Sequence, residues 1–502
     1  MRVGLSRVGV IDEAGCAGEF VCERGEGERR EEREEGDLEH SRQYIMRPMR
    51  DPRFDLWRDR SLRFSMGAGT TIVSGLTGVL RNKWFAHHLE ASGIGVLAQV
   101  ISSEVWLGTA AGMGMGLPVA RAVGASLAQN DTPAARRAVW AAFSLLAIGV
   151  SVVVTLGLVF AEAISSALLG SGAYAALIRI SMIGVAGVAL QQTLFGLYAG
   201  RSDLRAPLTF ALLGGAVSIA ATLLLVPRWG LKGAALAVAI LFPVGCASAL
   251  WIHRRTYAPV LERPPGPLLS SALARTLLTI SGAGLVSGLV EQGTFLTLRS
   301  HYVRMNGIEA NGFLQAGLAI SQQVGALFYS YLASYAFGKI SGAAQVSGAE
   351  GARVYTRKHW APLLVFAAVA LLATRLLALP LLHILYSHRF DPAEPLMAWA
   401  LVGEFGRISL ITVSLGALPV GGVKLWFPIS LVFPATLATA YAAFTASGAG
   451  PLSLPKAYAV AGLTAALVGG VLMGRRGVTL RARDLAVFAA GAAGLFLLAL
   501  SP

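Results

Sequence analysis

Along the chain, apolar runs alternate with short polar breaks. A run of roughly 20 apolar residues, wound as a helix, crosses a ~30 Å hydrocarbon layer. Thirteen such runs are legible, at about 64–82, 94–119, 138–160, 174–198, 207–227, 232–252, 272–297, 309–337, 361–386, 395–418, 424–444, 455–473 and 485–500. Alternating strand patterns of about ten residues are absent, which argues against a membrane β-barrel. The pattern predicts an all-α polytopic membrane protein.

Three phrases recur at nearly one offset. GAGTTIVSGL at 67–76 returns as GAGLVSGL at 282–289, and Gly95 in GVLAQ pairs with Gly312 in GFLQA. LYAGRSDLRAPL, from Leu197, pairs with LPVGGVKLWFPI, from Leu418. The copies stand six spans apart. Six is even, so both enter the membrane from the same side: parallel repeats, as two six-helix lobes with a cleft between them. The predicted organisation is a charged leader at 1–48, a lobe at 60–252, a linker at 253–270, a second lobe at 271–474 and an extra helix at 484–500. Gly67, Thr71 and Gly75 share one helix face, as do Gly284 and Gly288, and Gly108, Gly112 and Gly116. Small residues at this spacing let helices approach closely in lipid, or serve as bending points.

Composition agrees. Charged residues make up 14% of the chain, against about 25% in soluble domains, while 55% is apolar. The net charge of +14 rests on arginines in short loops, which points to anionic lipid headgroups rather than nucleic acid. The first 45 residues hold 12 acidic and 7 basic side chains and too few apolar ones for a core. They read as a disordered tail, or as translation assigned upstream of a true start at Met46 or Met49. Cys16, Cys22 and Cys246 form no disulfide framework, and no Cys/His metal spacing appears. ARRA, GRSDLR, RVYTRK and GRRGVTLRAR follow even-numbered spans, whereas SALLGSGAYAAL, after the third, has no Lys or Arg. The positive-inside rule then places the N-terminus and the linker in the cytoplasm.

With its two six-helix halves, paired GAG…SGL starts, GIGVLAQV opening the second span and LLLVPRWGLKGAALAVAI across spans five and six, the chain resembles a known superfamily over about residues 60–473. This is the multidrug/oligosaccharidyl-lipid/polysaccharide exporter superfamily, in its polysaccharide-transporter or Wzx-type O-antigen flippase branch. The resemblance implies a V-shaped transporter of the bacterial cytoplasmic membrane. Its substrate would be a polyprenyl-pyrophosphate-linked oligosaccharide, moved to the periplasmic leaflet by alternating access, with polysaccharide polymerase machinery as a partner. Thirteen spans and a charged leader depart from the family's usual pattern.

Ionisable residues inside spans cost roughly 2.5–3.5 kcal/mol each on insertion scales and therefore face a cavity or a partner. Arg375 lies mid-span in VALLATRLLALPLL, and Glu404 and Arg407, on one helical face, lie in LVGEFGRISL. Guanidinium forks suit pyrophosphate oxygens, so Arg375 and Arg407 are expected to face the cleft; a buried network of Arg375, Glu404 and Arg407 is the competing arrangement. Arg63 and Arg275 open spans one and seven, where they either capture the pyrophosphate or snorkel to the headgroups. Arg179 and Arg299 form a possible exit-side pair. Glu291, Glu104 and Glu404 are the candidates for coupling to H⁺ or Na⁺, with Gln292 beside Glu291; interhelical hydrogen bonding is the alternative. Gln322 and Gln323, with Gln191 and Gln192, suit a sugar-tolerant cavity or helix packing. No cofactor is called for.

A drug/cation antiporter needs acidic, aromatic-lined sites. Span one carries no Asp or Glu, so this reading ranks below an anionic substrate. A lipid II-type flippase shares the pyrophosphate. A membrane glycosyltransferase, or a polysaccharide polymerase or ligase, needs a catalytic loop, and the nearest candidates, HHLE at 87–90 and HRFDPAE at 388–394, read as ordinary polar loops. An assembly scaffold leaves the intramembrane charges without a purpose.

Overall fold

The computed structural model describes residues 52–265 and 268–500, with backbone alone at 52–68, 334, 335, 338 and 345. The leader at 1–48 lies outside the described residues. Contacts divide the chain into two compact units, Met1–Asp59 and Arg60–Pro502, and the site belongs wholly to the second.

In chain order the first helices are α1 (Pro52–Ala111), α2 (Gly116–Ala128), α3 (Thr132–Val159), α4 (Ala161–Leu169), α5 (Ala175–Gly200), α6 (Arg205–Ala239), α7 (Leu241–Ile252) and α8 (Arg254–Leu261). After them come α9 (Ser271–Tyr331), α10 (Phe337–Leu376), α11 (Ala378–Leu385), α12 (Glu394–Ser414), α13 (Ala417–Ala446), α14 (Ser453–Gly474) and α15 (Ala482–Leu500). Short polar residues start several of them. The Asp131 carboxylate accepts from the Ala134 N–H at 2.9 Å to cap α3, and Ser270 does the same for α9.

Among the described residues, ten helical stretches are long and apolar enough to cross a membrane. Three of these, Gly69–Ala111, Arg205–Ile252 and Ser271–Tyr331, run 43, 48 and 61 residues, each more than one crossing requires. Each is broken inside, at Glu90 (φ 58°, ψ −173°), Gly230 (φ 52°, ψ −126°) and Gly307 (φ 90°, ψ 164°). Counting each of these three as two arms gives thirteen helical segments among the described residues, as many as the apolar runs of the sequence. Between the arms, the chain adopts backbone angles that helices do not use, rather than a polar loop.

The backbone breaks also repeat. Positive φ occurs at Glu90 and Gly307, Asn130 and Gly348, Ser202 and Gly422, and Gly230 and Gly450. Subtracting the residue numbers gives offsets of 217, 218, 220 and 220. A turn at Gly112–Met115 in the first half has its counterpart in the π-helix Leu332–Ala336. The offset seen in three sequence phrases therefore extends to backbone conformations that side-chain patterns do not encode.

Two stretches differ from expectation. HRRTYAPVLERPPGPLL, expected as a linker, begins with helix α8. Trp140 Nε1 holds it against α3 by donating to the carbonyls of Leu261 and Glu262, and the Tyr257 hydroxyl donates to Asp203, in the turn before α6, at 2.5 Å. Burial, reinforced by that carboxylate, pushes the Tyr257 phenol above its ordinary range. RVYTRK, expected as a loop, lies within α10 beyond the break at Ser347–Gly348, because nothing in it stops a helix.

The lipid-facing and packed faces separate cleanly. Ile148, Val152 and Leu156, at i, i+4 and i+8 on α3, are about half exposed and form one apolar stripe. Gly108 and Gly112 pack instead on Val188 and Ala189 of α5, where an added Cβ meets backbone or a branched side chain. Gly284 of the repeated phrase has open space around it, so close packing does not explain that glycine.

At the end carrying the Glu90 and Gly307 breaks, the two halves are zipped together. Gly95 lies against the Ile308 carbonyl and Gly312 against the Ala91 carbonyl, approaches that only glycine permits. Asn311 Nδ2 donates to the Gly95 carbonyl at 2.6 Å, and Gln99 Nε2 to Ser300 Oγ at 2.6 Å. Further in, Trp106 Nε1 donates to the Leu289 carbonyl at 3.1 Å.

Candidate functional site

Below this zipped end lies a cavity of about 460 Å³ between the halves. The second arm of α1 supplies Ser102 and Ile101. Both arms of α9 contribute Glu291, Gln292, Phe295, Arg299, Gln315 and Gln322, and α12, α13 and α14 add Arg407, Phe433 and Tyr458. Four neutral hydrogen-bonding side chains, two guanidiniums and one carboxylate thus share one wall, with aromatic rings between them. The charge on the lining is net positive.

Arg299 is 2% exposed, and its bonds all go to neutral oxygens. Nε donates to Asn311 Oδ1 at 2.7 Å, Nη2 to Gln315 Oε1 at 2.7 Å and Nη1 to Ser102 Oγ at 3.3 Å. Among the described residues no carboxylate pairs with it. Isolating a charge in this way is costly without a counter-ion, so a cation placed here favours an anion in the cavity.

Arg407 is held differently. Nη2 pairs with Glu291 Oε1 at 2.7 Å, and Nη1 donates to the Tyr458 hydroxyl at 3.1 Å. The guanidinium carbon sits 4.8 Å from the Phe433 ring centre, 5.9 Å from Tyr458 and 6.0 Å from Tyr329. Glu404, fully buried, accepts from the Tyr458 hydroxyl at 2.6 Å and from the Tyr329 hydroxyl. Carboxylate, phenol, guanidinium and carboxylate therefore form one chain from Glu404 to Glu291. Glu291, Arg407 and Phe433 also line a second cavity, of about 290 Å³, with Ser287, Trp426 and Ser430. The ion pair stands on the wall between two compartments.

Of the residues singled out in the sequence, Arg407, Glu291 and Gln322 meet on the large cavity, and Glu404 lies just behind it. Gln323 faces Gly75 and a separate cavity of about 300 Å³. Arg375 does not reach the cavity: it pairs with Glu394, and its Nε donates to the Leu498 carbonyl at 3.1 Å. Its position in the middle of an apolar run is explained by the last helix, which supplies the carbonyl. The proposed network of Arg375, Glu404 and Arg407 is correspondingly split in two. Arg275 is exposed at the start of α9, and the Arg63 side chain lies outside the described residues. Glu104 is 1% exposed, packed against Gly184 of α5, and its Oε1 has no hydrogen-bond partner among the described residues.

The residue that sequence reasoning undervalued is Arg299. The apolar run ends near 297, but α9 continues to Gly307, so Arg299 lies inside the membrane-length arm and not at its mouth. Gln315, Phe433 and Tyr458 carried no sequence signal, being ordinary residues of apolar spans.

No protein-family model and no curated protein matches the chain. Solved structures do. An inward-facing multidrug resistance MATE family transporter of the MOP superfamily aligns with a TM-score of 0.63 at 16% identity, over 85% of this chain and 94% of that one. The lipid II flippase MurJ, in an inward closed conformation, aligns with a TM-score of 0.68 at 15% identity, over 86% of this chain and 91% of that one. A MOP superfamily transporter from Pyrococcus furiosus, described by the reverse polarity of its binding pocket, gives 0.59 at 15% identity, over 85% and 95%. At such identities the likeness shows the fold: a two-lobed, all-helical, multi-pass membrane architecture.

Proposed function

We propose that this chain is a transporter that flips an anionic lipid-linked substrate, a polyprenyl-pyrophosphate-linked oligosaccharide, across a bacterial cytoplasmic membrane by alternating access between its two lobes. The observation that carries this reading is Arg299, a buried guanidinium on the inter-lobe cavity with neutral partners only. A pyrophosphate brings about two negative charges and several acceptor oxygens, and a guanidinium fork matches them. Ser102, Gln292, Gln315 and Gln322 suit sugar hydroxyls, being able to donate and accept. The substrate described for MurJ, lipid II, and the reversed pocket polarity described for the Pyrococcus protein are in keeping with an anion in this fold.

A cationic drug finds the aromatic rings of this cavity already occupied. The rings of Phe433, Tyr458 and Tyr329 already surround Arg407, and Glu291 already neutralises it. Coupling is assigned to Glu104, a buried carboxyl whose Oε1 has no hydrogen-bond partner among the described residues and is a place for an exchangeable proton. The zipped end is assigned to the periplasm, following the positive-inside reading. O-antigen units and lipid II share the pyrophosphate, and the sugar discriminates between them.

The test is binding of a polyprenyl-pyrophosphate oligosaccharide to the detergent-purified protein. Arg299→Ala is expected to weaken binding roughly tenfold to a hundredfold, the value of hydrogen bonds to a charged group, with Arg299→Lys intermediate. Unchanged binding in both variants overturns the anion site.

A further inference from the structure

At the zipped end, the chain between α11 and α12 brings together three side chains that are apart in sequence pattern. We propose that His383, His388 and Asp391 form a binding site for one zinc-class divalent cation, placed on the segment that clasps the second half of the protein to the first.

The ligand atoms are already assembled. His383 stands in the last turn of α11, and His388 opens the short 3₁₀ turn His388–Ala393. Between them, Tyr386 (φ −126°, ψ −104°) and extended Ser387 fold the chain back on itself, so the two imidazole rings lie 3.8 Å apart, centre to centre. Asp391 Oδ1 is 2.6 Å from His383 Nε2, and one ligand atom from each residue lies within 4.8 Å of the others. Tetrahedral zinc, with bonds near 2.0–2.1 Å, needs its ligands about 3.3 Å apart. The required contraction is about 1.5 Å or less, within reach of side-chain rotation on a surface turn.

The donor set selects the metal. Two imidazoles and one carboxylate, with the outer side open to water, are the three-protein-ligand arrangement of exchangeable zinc sites. Magnesium and calcium prefer all-oxygen shells and gain little from imidazole. A plain His383–Asp391 hydrogen bond accounts for two of the residues. It leaves unexplained why His388 is folded onto His383.

The position gives the site a consequence. Tyr386 and Arg389 flank His388, and both reach into the first half. Asn82 Nδ2 donates to the Tyr386 hydroxyl at 3.4 Å, and Arg389 Nη1 pairs with Glu90 Oε1 at 2.9 Å. Glu90 is the residue at the break of α1, held at φ 58°, where a side chain is strained. A cation joining His383 to His388 and Asp391 ties α11 to this clasp and favours the closed state of this end.

The test uses the full-length protein purified in detergent and stripped by chelator. Calorimetric titration with Zn²⁺ is expected to show one equivalent bound. His383→Ala and His388→Ala should each weaken it at least about tenfold. Arg389→Ala, outside the ligand set, should bind as the wild type does. Equal Zn²⁺ affinity in wild type and the His383→Ala/His388→Ala double variant overturns the site, since the chain holds six further histidines that would then account for binding. Spin labels across the zipped end then test the clasp. Zn²⁺ should narrow the inter-label distances in the wild type and not in Arg389→Ala. Binding without narrowing overturns the clasp and leaves the metal site. Neither readout involves transport, so failure here is distinct from failure of the flippase reading.

Discussion

Arg299, buried, and Arg407, partly buried, line one cavity, and the difference between them lies in their partners. Arg407 has a carboxylate and three aromatic rings; Arg299 has amide and hydroxyl oxygens. The first is balanced by a carboxylate of the protein, and among the described residues the second is not. Glu404 belongs with the balanced set, since two tyrosine hydroxyls satisfy it. Tyr458→Phe removes one of those donors and also a partner of Arg407. It is expected to destabilise the protein by about 1–3 kcal/mol, read as a lower melting midpoint in detergent, because a buried carboxylate loses a hydrogen bond. Glu104 Oε1 has no such hydrogen bond among the described residues. Glu104→Gln keeps its shape and removes its titration, so flipping driven by a pH gradient should lose its gradient dependence while substrate binding persists. Retained gradient dependence in that variant assigns coupling elsewhere. At this scale the sequence was a partial guide. Charges inside apolar runs can be recognised, which exposed Arg407, Glu404 and Glu291. Whether a charge faces a cavity or a neighbouring helix depends on a partner far along the chain, as Leu498 and Glu394 decide for Arg375.

At the scale of elements, the apolar runs were legible because lipid demands about 20 such residues per crossing, whatever the tertiary structure. The connections were less so. Three of them are single breaks inside continuous helices, at Glu90, Gly230 and Gly307, where polar composition marks the place but not that helix runs up to both sides of the break. The extra run near the C-terminus proves to be helix α15, whose Phe488 stacks on Phe405 at 5.7 Å and whose Phe496 meets Trp399. It covers the back of α12, the helix that carries Arg407. The zipped end depends on Gly95 and Gly312, a pair visible in the sequence repeat, whose purpose appears only when each is seen against the other's backbone. Gly312→Leu forces a side chain into the Ala91 carbonyl and is expected to prise this end open. In a background with the three native cysteines replaced, a thiol introduced by Ser102→Cys should then react several-fold faster with a polar reagent. An unchanged rate means the tips do not control access to the cavity.

The second unit, Arg60–Pro502, carries two copies of one helical plan with the charged cavity on their seam. The repeat, at offsets of 215–221 in the sequence phrases and 217–220 in the backbone breaks, is written in both, yet the two halves have diverged in chemistry. Arg299, Arg407, Glu404 and Glu291 all belong to the second half, whereas the first contributes Ser102 and the buried Glu104. A duplicated scaffold thus carries an asymmetric site: on the proposed reading, the anion is held on one lobe and the coupling carboxyl lies on the other. That division predicts that binding and coupling are separable, and that an anionic lipid-linked substrate is what moves. The decisive measurement is translocation in proteoliposomes, with a fluorescent polyprenyl-pyrophosphate oligosaccharide and a cationic dye assayed side by side in wild type and Arg299→Ala. Protein-dependent movement of the lipid-linked sugar, absent for the dye and lost in Arg299→Ala, is the predicted result. Movement of the dye alone, unaffected by Arg299→Ala, would contradict it and leave that arginine a structural residue.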